Sequence, residues 1–191
     1  MGKIILGSSS PRRANILKQL KLDFEISPSS YAEPHDKTDF SYEFVESLAY
    51  NKALDVAKKH YGSQNTLVIG ADTIVVVDNR ILGKPTDRQE AYAMLNLLSG
   101  RTHFVVTSVA VINPENFKYK VKSTTTYVTF EKLTPEQIEF YIENFKPFDK
   151  AGAYGIQELP EGFIKSVEGE LDNVIGLPAA ALLEMLQDDY N

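Results

Sequence analysis

The segment Thr66–Val77 limits what this 191-residue chain can fold into more than any other stretch. It is almost continuously apolar, and its interior is interrupted only by Asp72 and Thr73. An apolar run of this length without alternation is typical of a central strand that is buried on both faces. The segment therefore predicts a sheet with other elements packed around it, and it puts two polar side chains in the middle of that sheet.

The segments around this strand alternate in type and predict an α/β fold. Asp78-Asn79 suits a tight hairpin turn directly after the strand, and two polar segments, 29–40 and 149–157, are predicted as loops. We expect one domain over residues 1–191, with a mixed, elongated, twisted sheet, flanking helices and two lobes around a cleft. The remaining strands are expected near residues 3–7, 23–28, 102–112, 119–130 and 162–168, and helices near residues 11–20, 41–60, 86–98, 134–145 and 177–187.

Two of these helices carry a capping-box pattern at their start. Thr86 with Gln89 and Thr134 with Gln137 have the spacing at which a hydroxyl and an amide satisfy each other's backbone N–H groups. Gly100 is placed to end the helix that begins near Thr86. The pattern thus predicts both ends of one helix and the start of another.

Composition excludes several functional classes. A formal net charge of -6 argues against broad binding of a nucleic-acid backbone, which requires a basic face. The chain has no cysteine, which rules out disulfides, thiolate catalysis and zinc–thiolate sites, and its 3 histidines are too scattered for a histidine-rich metal site. Neither a signal region nor an apolar run of ~18 residues is found, so we expect a cytoplasmic protein without a membrane span.

A turn of hydroxyl and basic side chains near the N-terminus is the first candidate site. Ser10 precedes Pro11 and is suited to cap the helix that starts there, and the free N–H groups of such a helix end attract anions. Ser8, Arg12 and Arg13 add further donors and positive charge to the same turn. The turn is therefore predicted to bind a phosphate group.

Asp72 is the strongest single candidate for chemistry. A carboxylate inside an apolar strand costs several kcal/mol unless it is paired or binds a metal ion. The small side chains of Gly70 and Ala71 are expected to leave room for a ligand beside it. The structural alternative is a carboxylate that accepts hydrogen bonds from loop N–H groups.

Other charged side chains have two interpretations each. Lys52 falls within the apolar stripe of helix 41–60, so its ammonium either extends to solvent or meets an anion. Lys84 and Glu33 lie in loops, where solvent exposure is the alternative to a functional role. Arg101 and His103 follow the helix that ends at Gly100 and are expected to interact with the C-terminal end of its dipole.

Loop 149–157 combines small residues with one aromatic ring, Tyr154, and one amide, Gln157. That combination suits a nucleobase pocket, although a compact structural loop is the alternative.

Cations neutralise phosphates, and carboxylates hold Mg²⁺ together with phosphate oxygens. The candidate residues therefore imply a nucleotide site with metal-assisted hydrolysis; its cations are Arg12, Arg13, Lys52 and Lys84, and its carboxylates are Glu33 and Asp72.

These motifs resemble the Maf proteins, a family of nucleoside triphosphate pyrophosphatases. The resemblance implies an α/β structure with two lobes around a deep cleft, often dimeric, and hydrolysis of a nucleoside triphosphate to the monophosphate and pyrophosphate with a divalent metal ion. The matching stretches run in order along the chain and are SSSPRR at 8–13, Glu33, Lys52, GADTIV at 70–75, GKP at 83–85, SGRTH at 99–103, DKAGAYGIQ at 149–157 and NVIGLP at 173–178.

The resemblance also implies roles for individual residues and a substrate class. The aspartate matching Asp72 is the proton acceptor, and the combination of Arg12, Thr73 and Gln157 is similar to that of the subgroup acting on dTTP and UTP. In the resulting hypothesis, Mg²⁺ or Mn²⁺ binds between Asp72, Glu33 and the triphosphate, and a homodimer is possible. Support for phosphate and metal binding is implied for Ser8, Glu33, Lys52 and Lys84.

Two other functions remain open at this point. One is a nucleotide sensor or regulator of septum formation that binds without hydrolysis, and the other is an inosine-type pyrophosphatase that performs the same reaction on purines. Measured turnover separates the first from an enzyme, and competition among dTTP, UTP and ITP separates the second.

Overall fold

Strand β3 (Thr66–Val77) lies in the middle of a seven-stranded mixed sheet, as its apolar sequence predicts. The protein is described here from a computed structural model, which covers residues 2–34 and 38–188. The sheet has the order β2-β1-β3-β5-β6-β7, with β4 paired to the second half of β3. The other strands are β1 (Lys3–Leu6), β2 (Phe24–Ile26), β4 (Arg80–Leu82), β5 (Thr102–Ile112), β6 (Tyr119–Phe130) and β7 (Ile164–Glu168).

Both strand directions occur in this sheet, which confirms the mixed topology. β1 runs parallel to β2 and to β3, whereas β3, β5, β6 and β7 pair antiparallel in succession. The hairpin between β3 and β4 turns at Asp78 and Asn79, which both have positive φ, as a tight hairpin turn requires. Six helices flank the sheet in the described part of the chain: α1 (Pro11–Gln19), α2 (Tyr42–Lys59), α3 (Arg88–Leu98), α4 (Pro135–Phe145), α5 (Leu171–Ile175) and α6 (Ala179–Asp188).

The helix starts agree with the capping patterns in two of three cases. Ser10 caps α1, and the capping box of Thr134 and Gln137 is present at α4. At α3 the predicted pair, Thr86 and Gln89, is wrong by one residue: the cap is Asp87, whose side chain accepts from the N–H of Glu90. The Glu90 carboxylate in turn accepts from the Thr86 N–H at 2.7 Å, so an aspartate takes the place expected for the threonine.

In the C-terminal part of the chain, some elements differ from those that the sequence predicts. Two short 3₁₀ turns lie within and at the end of the predicted loop 149–157, namely Ala151–Ala153 and Ile156–Glu158, and helix α5 was not predicted. Five residues give too short a hydrophobic period to be recognised. Gly100 has a φ of +70° just after α3, which confirms its predicted role as the helix terminator.

The buried core divides at the middle of β3, which confirms two lobes. On one face, Leu67 and Ile69 pack with α1 and α6, whereas Val75 and Val77 pack with α3 and α4. On the opposite face, α2 runs along the strand, with Ala53 and Val56 near Val68 and with Val45 near Ile74 and Val76. Asp72 and Thr73 therefore lie at the boundary between the lobes. Among residues 2–34 and 38–188, every helix is too short or too polar to cross a lipid bilayer.

Candidate active site

Helix α2 packs against β3 so closely that only glycine fits at position 70. A Cβ atom on Gly70 would lie 2.5 Å from the Ala49 carbonyl oxygen and 2.5 Å from the Ala53 nitrogen, both on α2. The backbone of α2 thus fills the space at Gly70 that the sequence analysis reserved for a ligand, and that expectation is wrong. The close approach of α2 to β3 also brings Lys52 of α2 next to Asp72 of β3.

The Lys52 ammonium lies between two carboxylates. Its Nζ is 2.5 Å from Oδ1 of Asp72 and 2.7 Å from Oε1 of Glu33. The side chains of Asp72 and Lys52 are only 8% and 14% exposed, whereas that of Glu33 is 41% exposed. Pairing with anions therefore explains the lysine in an apolar stripe, and Asp72 is paired with an ammonium instead of loop N–H groups.

Burial raises the pKa of Asp72 above its ordinary value, and the charge of Lys52 offsets part of that effect. Glu33 acts in the same direction as burial because a second negative charge disfavours ionisation of the first. A carboxylate with a raised pKa is a stronger base than an exposed one. The position of Asp72 thus suits a group that accepts a proton.

The loop that carries Glu33 is fixed to α2 by Asp55, a residue that the sequence analysis did not single out. Oδ2 of Asp55 accepts from the N–H of Ser30 at 2.8 Å, from the hydroxyl of Ser29 at 3.0 Å and from Nζ of Lys59 at 2.9 Å. These bonds lower the pKa of Asp55 to about 2, the one from Lys59 most of all. The serine-rich start of the loop was the available signal, because serine hydroxyls can donate to a carboxylate.

Arg13 lies on the opposite face of β3 and bonds only to protein groups in the described chain. Its Nε donates to the Gly176 carbonyl at 2.9 Å, Nη1 to the Ser8 hydroxyl at 3.1 Å and Nη2 to the Thr73 hydroxyl at 3.2 Å. Burial lowers the pKa of the Arg13 guanidinium, and Asp72 offsets part of this shift. The contacts make Arg13 a link between the N-terminal turn, β3 and the segment after α5, and phosphate binding by Arg13 stays a prediction.

The Thr73 hydroxyl belongs to a buried network that ends at Asn173. Thr73 Oγ1 lies 2.9 Å from Thr107 Oγ1, which donates to the Asn173 carbonyl at 2.7 Å. The Asn173 side chain accepts from the Thr107 N–H at 2.9 Å and donates to the Val105 carbonyl at 3.0 Å. Asn173 is fully buried and therefore holds α5 against β5. Only its position inside a matching motif marked it in the sequence.

We call the lobe that contains Val75, Val77, α3 and α4 the second lobe. Arg12 points toward this lobe, whereas Arg13 does not. Its Nη1 lies 3.6 Å from Oδ2 of Asp149, the first residue of loop 149–157, and both side chains are partly exposed. Lys84 is exposed, and no hydrogen bond or ion pair involves it within the described residues. The adjacent Gly83 carbonyl accepts from the N–H of Gly152 at 3.0 Å. Arg12 and the segment that carries Lys84 therefore both contact loop 149–157.

Loop 149–157 packs on the second half of β3, on the face that carries Thr73 and Val75. Gly152 has a φ of +67°, and a Cβ there would lie 3.0 Å from Val75 Cγ1, three residues after Asp72. Gln157 is exposed and Tyr154 is buried. The structure thus brings the predicted base-reading amide and the predicted phosphate-binding lysine to one loop cluster, with their roles still predictions.

Arg101 and His103 do not contact the end of α3 in the predicted way. Arg101 pairs with Asp78 at 2.6 Å, and His103 is buried in β5, where its Nε2 lies 2.7 Å from the Tyr154 hydroxyl. Burial lowers the pKa of His103 to about 4, so the imidazole is neutral at neutral pH and provides no charge for a helix dipole. The expectation for these two residues is wrong because β5 starts at Thr102, so the chain leaves the end of α3 at once.

Glu33 and Asp72 fit a magnesium ion that shares its coordination with a substrate. Mg²⁺ is commonly bound by one or two carboxylates plus phosphate oxygens, and these two carboxylates converge on one ammonium. Groups of three or more histidine, cysteine, aspartate or glutamate side chains that could hold a metal do not occur among the described residues. The donor set therefore suits a metal ion that arrives with phosphate ligands, not one held by protein alone.

The fold and this centre define the chain as an α/β protein with a buried lysine–carboxylate cluster at the boundary of two lobes. The family model described as "Maf-like protein" matches residues 3–189. The chain is 45% identical over 192 residues to the dTTP/UTP pyrophosphatase of Acetivibrio thermocellus, which covers 98% of this chain and 96% of that protein. It is 45% identical to the protein of the same name from Alkaliphilus oremlandii, over 100% of this chain and 98% of that one. The chain belongs to the Maf-like protein family.

Proposed function

We propose that this chain is a nucleoside triphosphate pyrophosphatase that hydrolyses dTTP and UTP to the monophosphate and pyrophosphate. One observation of the structure supports it above the others: Asp72, buried at the boundary of the lobes, shares the Lys52 ammonium with Glu33. Relatives of about 45% identity over nearly the whole chain carry the name of this activity. The nucleotide substrate is also a reason to propose a cytoplasmic location.

Asp72 is the base in this proposal. It accepts the proton of the attacking water as the water oxygen bonds to the α-phosphorus. The bond from that phosphorus to the bridging oxygen breaks, and pyrophosphate leaves from the opposite side. The raised pKa of Asp72 suits this role, because a buried carboxylate takes a proton more readily than an exposed one. Lys52 keeps Asp72 ionised before the reaction by pairing with it at 2.5 Å.

Cations and the metal ion stabilise the negative charge of the triphosphate. Lys84, which is exposed, and Arg12, which is partly exposed, are proposed to bind phosphate oxygens together with the Ser8 turn. A divalent ion, Mg²⁺ or Mn²⁺, held by Glu33 and Asp72 would polarise the phosphoryl oxygens.

Loop 149–157 is proposed to select the base. Gln157 is exposed at the loop surface, and its amide can donate and accept at once, which matches the carbonyl and N3–H edge of uracil and thymine. Thr73 and Arg12 are proposed to contribute to the same selection. A homodimer is part of the same proposal.

A substrate panel tests this function. Purified protein is incubated with Mg²⁺ and with dTTP, UTP, ITP or the other common triphosphates, and pyrophosphate release is measured beside Asp72→Asn. The proposal predicts pyrophosphate from dTTP and UTP and little from ITP. Saturable dTTP binding without pyrophosphate would instead identify a sensor, and a preference for ITP would identify the inosine-type enzyme. Near-normal turnover by Asp72→Asn would exclude Asp72 as the base.

A further inference from the structure

His103 keeps a polar imidazole in a place where an apolar ring would pack without an unpaired atom. The residue is 2% exposed, and its Nδ1 has no hydrogen-bond partner within the described residues. Buried polar atoms in folded proteins almost always have a partner, so this arrangement is costly. The bond that the imidazole does make, from Nε2 to the Tyr154 hydroxyl at 2.7 Å, is therefore the feature to explain.

Tyr154 connects this histidine to loop 149–157. Its ring is 5% exposed and packs edge-on against Phe130 and His103, with ring centroids 5.0 and 5.5 Å apart. The two residues before it, Gly152 and Ala153, both have positive φ, at +67° and +60°. A non-glycine residue with such a backbone conformation persists only where surrounding contacts hold it. The loop therefore depends on the Tyr154 anchor for its shape.

The rest of the loop has two further anchors, one on each side of Gln157. The N–H of Gly155 donates to the Tyr141 hydroxyl at 3.1 Å, and Lys150 pairs with Glu158 at 3.1 Å. Gln157 itself has an exposed side chain, and no hydrogen bond of that side chain is found in the described part of the chain. Its position is thus determined by the backbone on either side of it.

We propose that His103 is a positioning residue for nucleobase recognition. Its hydrogen bond to Tyr154 fixes the backbone of residues 152–157 relative to β5, so that the Gln157 amide meets the base in one orientation. This inference rests on the proposed function for the role of Gln157. It adds that base selection depends on a buried histidine of the sheet that does not touch the substrate.

The test compares a substrate that has a base with one that lacks it. For each variant, kcat/KM for dTTP is divided by kcat/KM for methyl triphosphate, which offers the phosphates alone. Tyr154→Phe, which removes one oxygen, and His103→Phe each lower this ratio about fivefold, the effect of losing one hydrogen bond. The double variant lowers it no further than either single variant, because both remove the same bond.

Ile138→Val is the matched control, because Ile138 is fully buried in the same core cluster and its side chain has no hydrogen bond to lose. It lowers Tm but leaves the ratio at the wild-type value. A wild-type ratio in both Tyr154→Phe and His103→Phe would overturn the inference, as would an equal loss in Ile138→Val.

A second measurement applies whatever the activity of the protein proves to be. If the wild-type chain hydrolyses neither substrate, or does not favour dTTP, the proposed function fails, and amide hydrogen exchange of residues 152–157 decides the positioning role. Exchange there that is several-fold faster in Tyr154→Phe than in Ile138→Val supports the anchor. Equal exchange rates in the two variants overturn it.

Discussion

The two faces of β3 hold their central polar side chains in different ways. On the face toward α2, Asp72 is held by charge, through an ammonium that it shares with the half-exposed Glu33. On the other face, Thr73 is held by hydrogen bonds to Arg13 and to the buried network of Thr107 and Asn173. Consecutive strand residues point to opposite faces, so neighbours in sequence have separate environments.

The difference separates the proposed proton transfer at Asp72 from a buried network that holds β3, β5 and α5 together. The face toward α2, here called the ionic face, has carboxylate oxygens that can accept further bonds, and its Glu33 side chain is partly exposed. These carboxylates can therefore exchange partners when a substrate and a metal ion arrive. On the hydrogen-bonded face, Thr107 and Asn173 are paired with each other inside the protein, so a change at either one leaves a buried group unpaired. Substitutions on the first face should therefore affect rate most, and substitutions on the second should affect stability most.

The largest effect is expected for Asp72→Asn. Asparagine keeps the shape of the side chain but cannot accept the proton, so kcat for dTTP should fall about 10³-fold. Pyrophosphate release under single-turnover conditions measures the loss, with circular dichroism to verify the fold. A loss below tenfold in a folded variant would mean that another group is the base.

The next effect is expected for Lys52→Met. Removing the ammonium takes away the charge that lowers the pKa of Asp72, so that pKa rises further and the base is protonated up to a higher pH. We expect kcat/KM at pH 7 to fall about 10²-fold and the acidic limb of the pH–rate profile to move to higher pH. Lys58→Met, at an exposed position of the same helix, is the control. An unmoved acidic limb would contradict the pairing.

On the other face, Asn173→Ala should act on stability. The alanine leaves the Thr107 N–H and the Val105 carbonyl without their partner, and the free energy of unfolding should fall by about 3 kcal/mol. Urea unfolding measures this change, and kcat/KM at a temperature where the variant is folded should change less than in Lys52→Met. A variant with full stability and a large loss of rate would reverse the assignment of the two faces.

The smallest effect is expected for Asp55→Asn, which weakens the attachment of the Glu33 loop to α2. The pKa of Asp55 is about 2 in the folded chain, below its ordinary 3.8, so its contribution is complete above about pH 4 and is lost as pH falls through about 2. We expect a loss of about 1 kcal/mol in urea unfolding at pH 7, because the pair is partly exposed. The difference from wild type should shrink toward pH 3, and Asp23→Asn, at an exposed aspartate, should show none of it.

The sequence could predict the ionic face because Asp72 and Lys52 are charged residues in otherwise apolar segments. A carboxylate in an apolar strand and a lysine in an apolar helical stripe are visible without any partner, and the structure places them 2.5 Å apart. The central strand, the hairpin at Asp78 and the capping box at Thr134 were predictable for a similar reason, since each is a local pattern of residue types.

The hydrogen-bonded face could not be predicted in this way. Asn173 bonds to Thr107 and Val105, more than 60 residues away along the chain, and an isolated asparagine carries no sign of its partners. The same holds for His103, whose bond to Tyr154 spans 51 residues. Arg12 and Arg13 are adjacent, and only the direction in which α1 packs decides which one reaches the second lobe.

The reaction itself is tested most directly by following dTTP with ³¹P NMR in water enriched in ¹⁸O. If the boundary between the lobes is a pyrophosphatase site, dTTP is converted to dTMP and pyrophosphate, and the label appears in dTMP because water attacks the phosphorus that loses pyrophosphate. The signal should vanish in Asp72→Asn and persist in Asn173→Ala. Formation of dTDP and phosphate, or dTTP that binds and stays intact, would contradict the account.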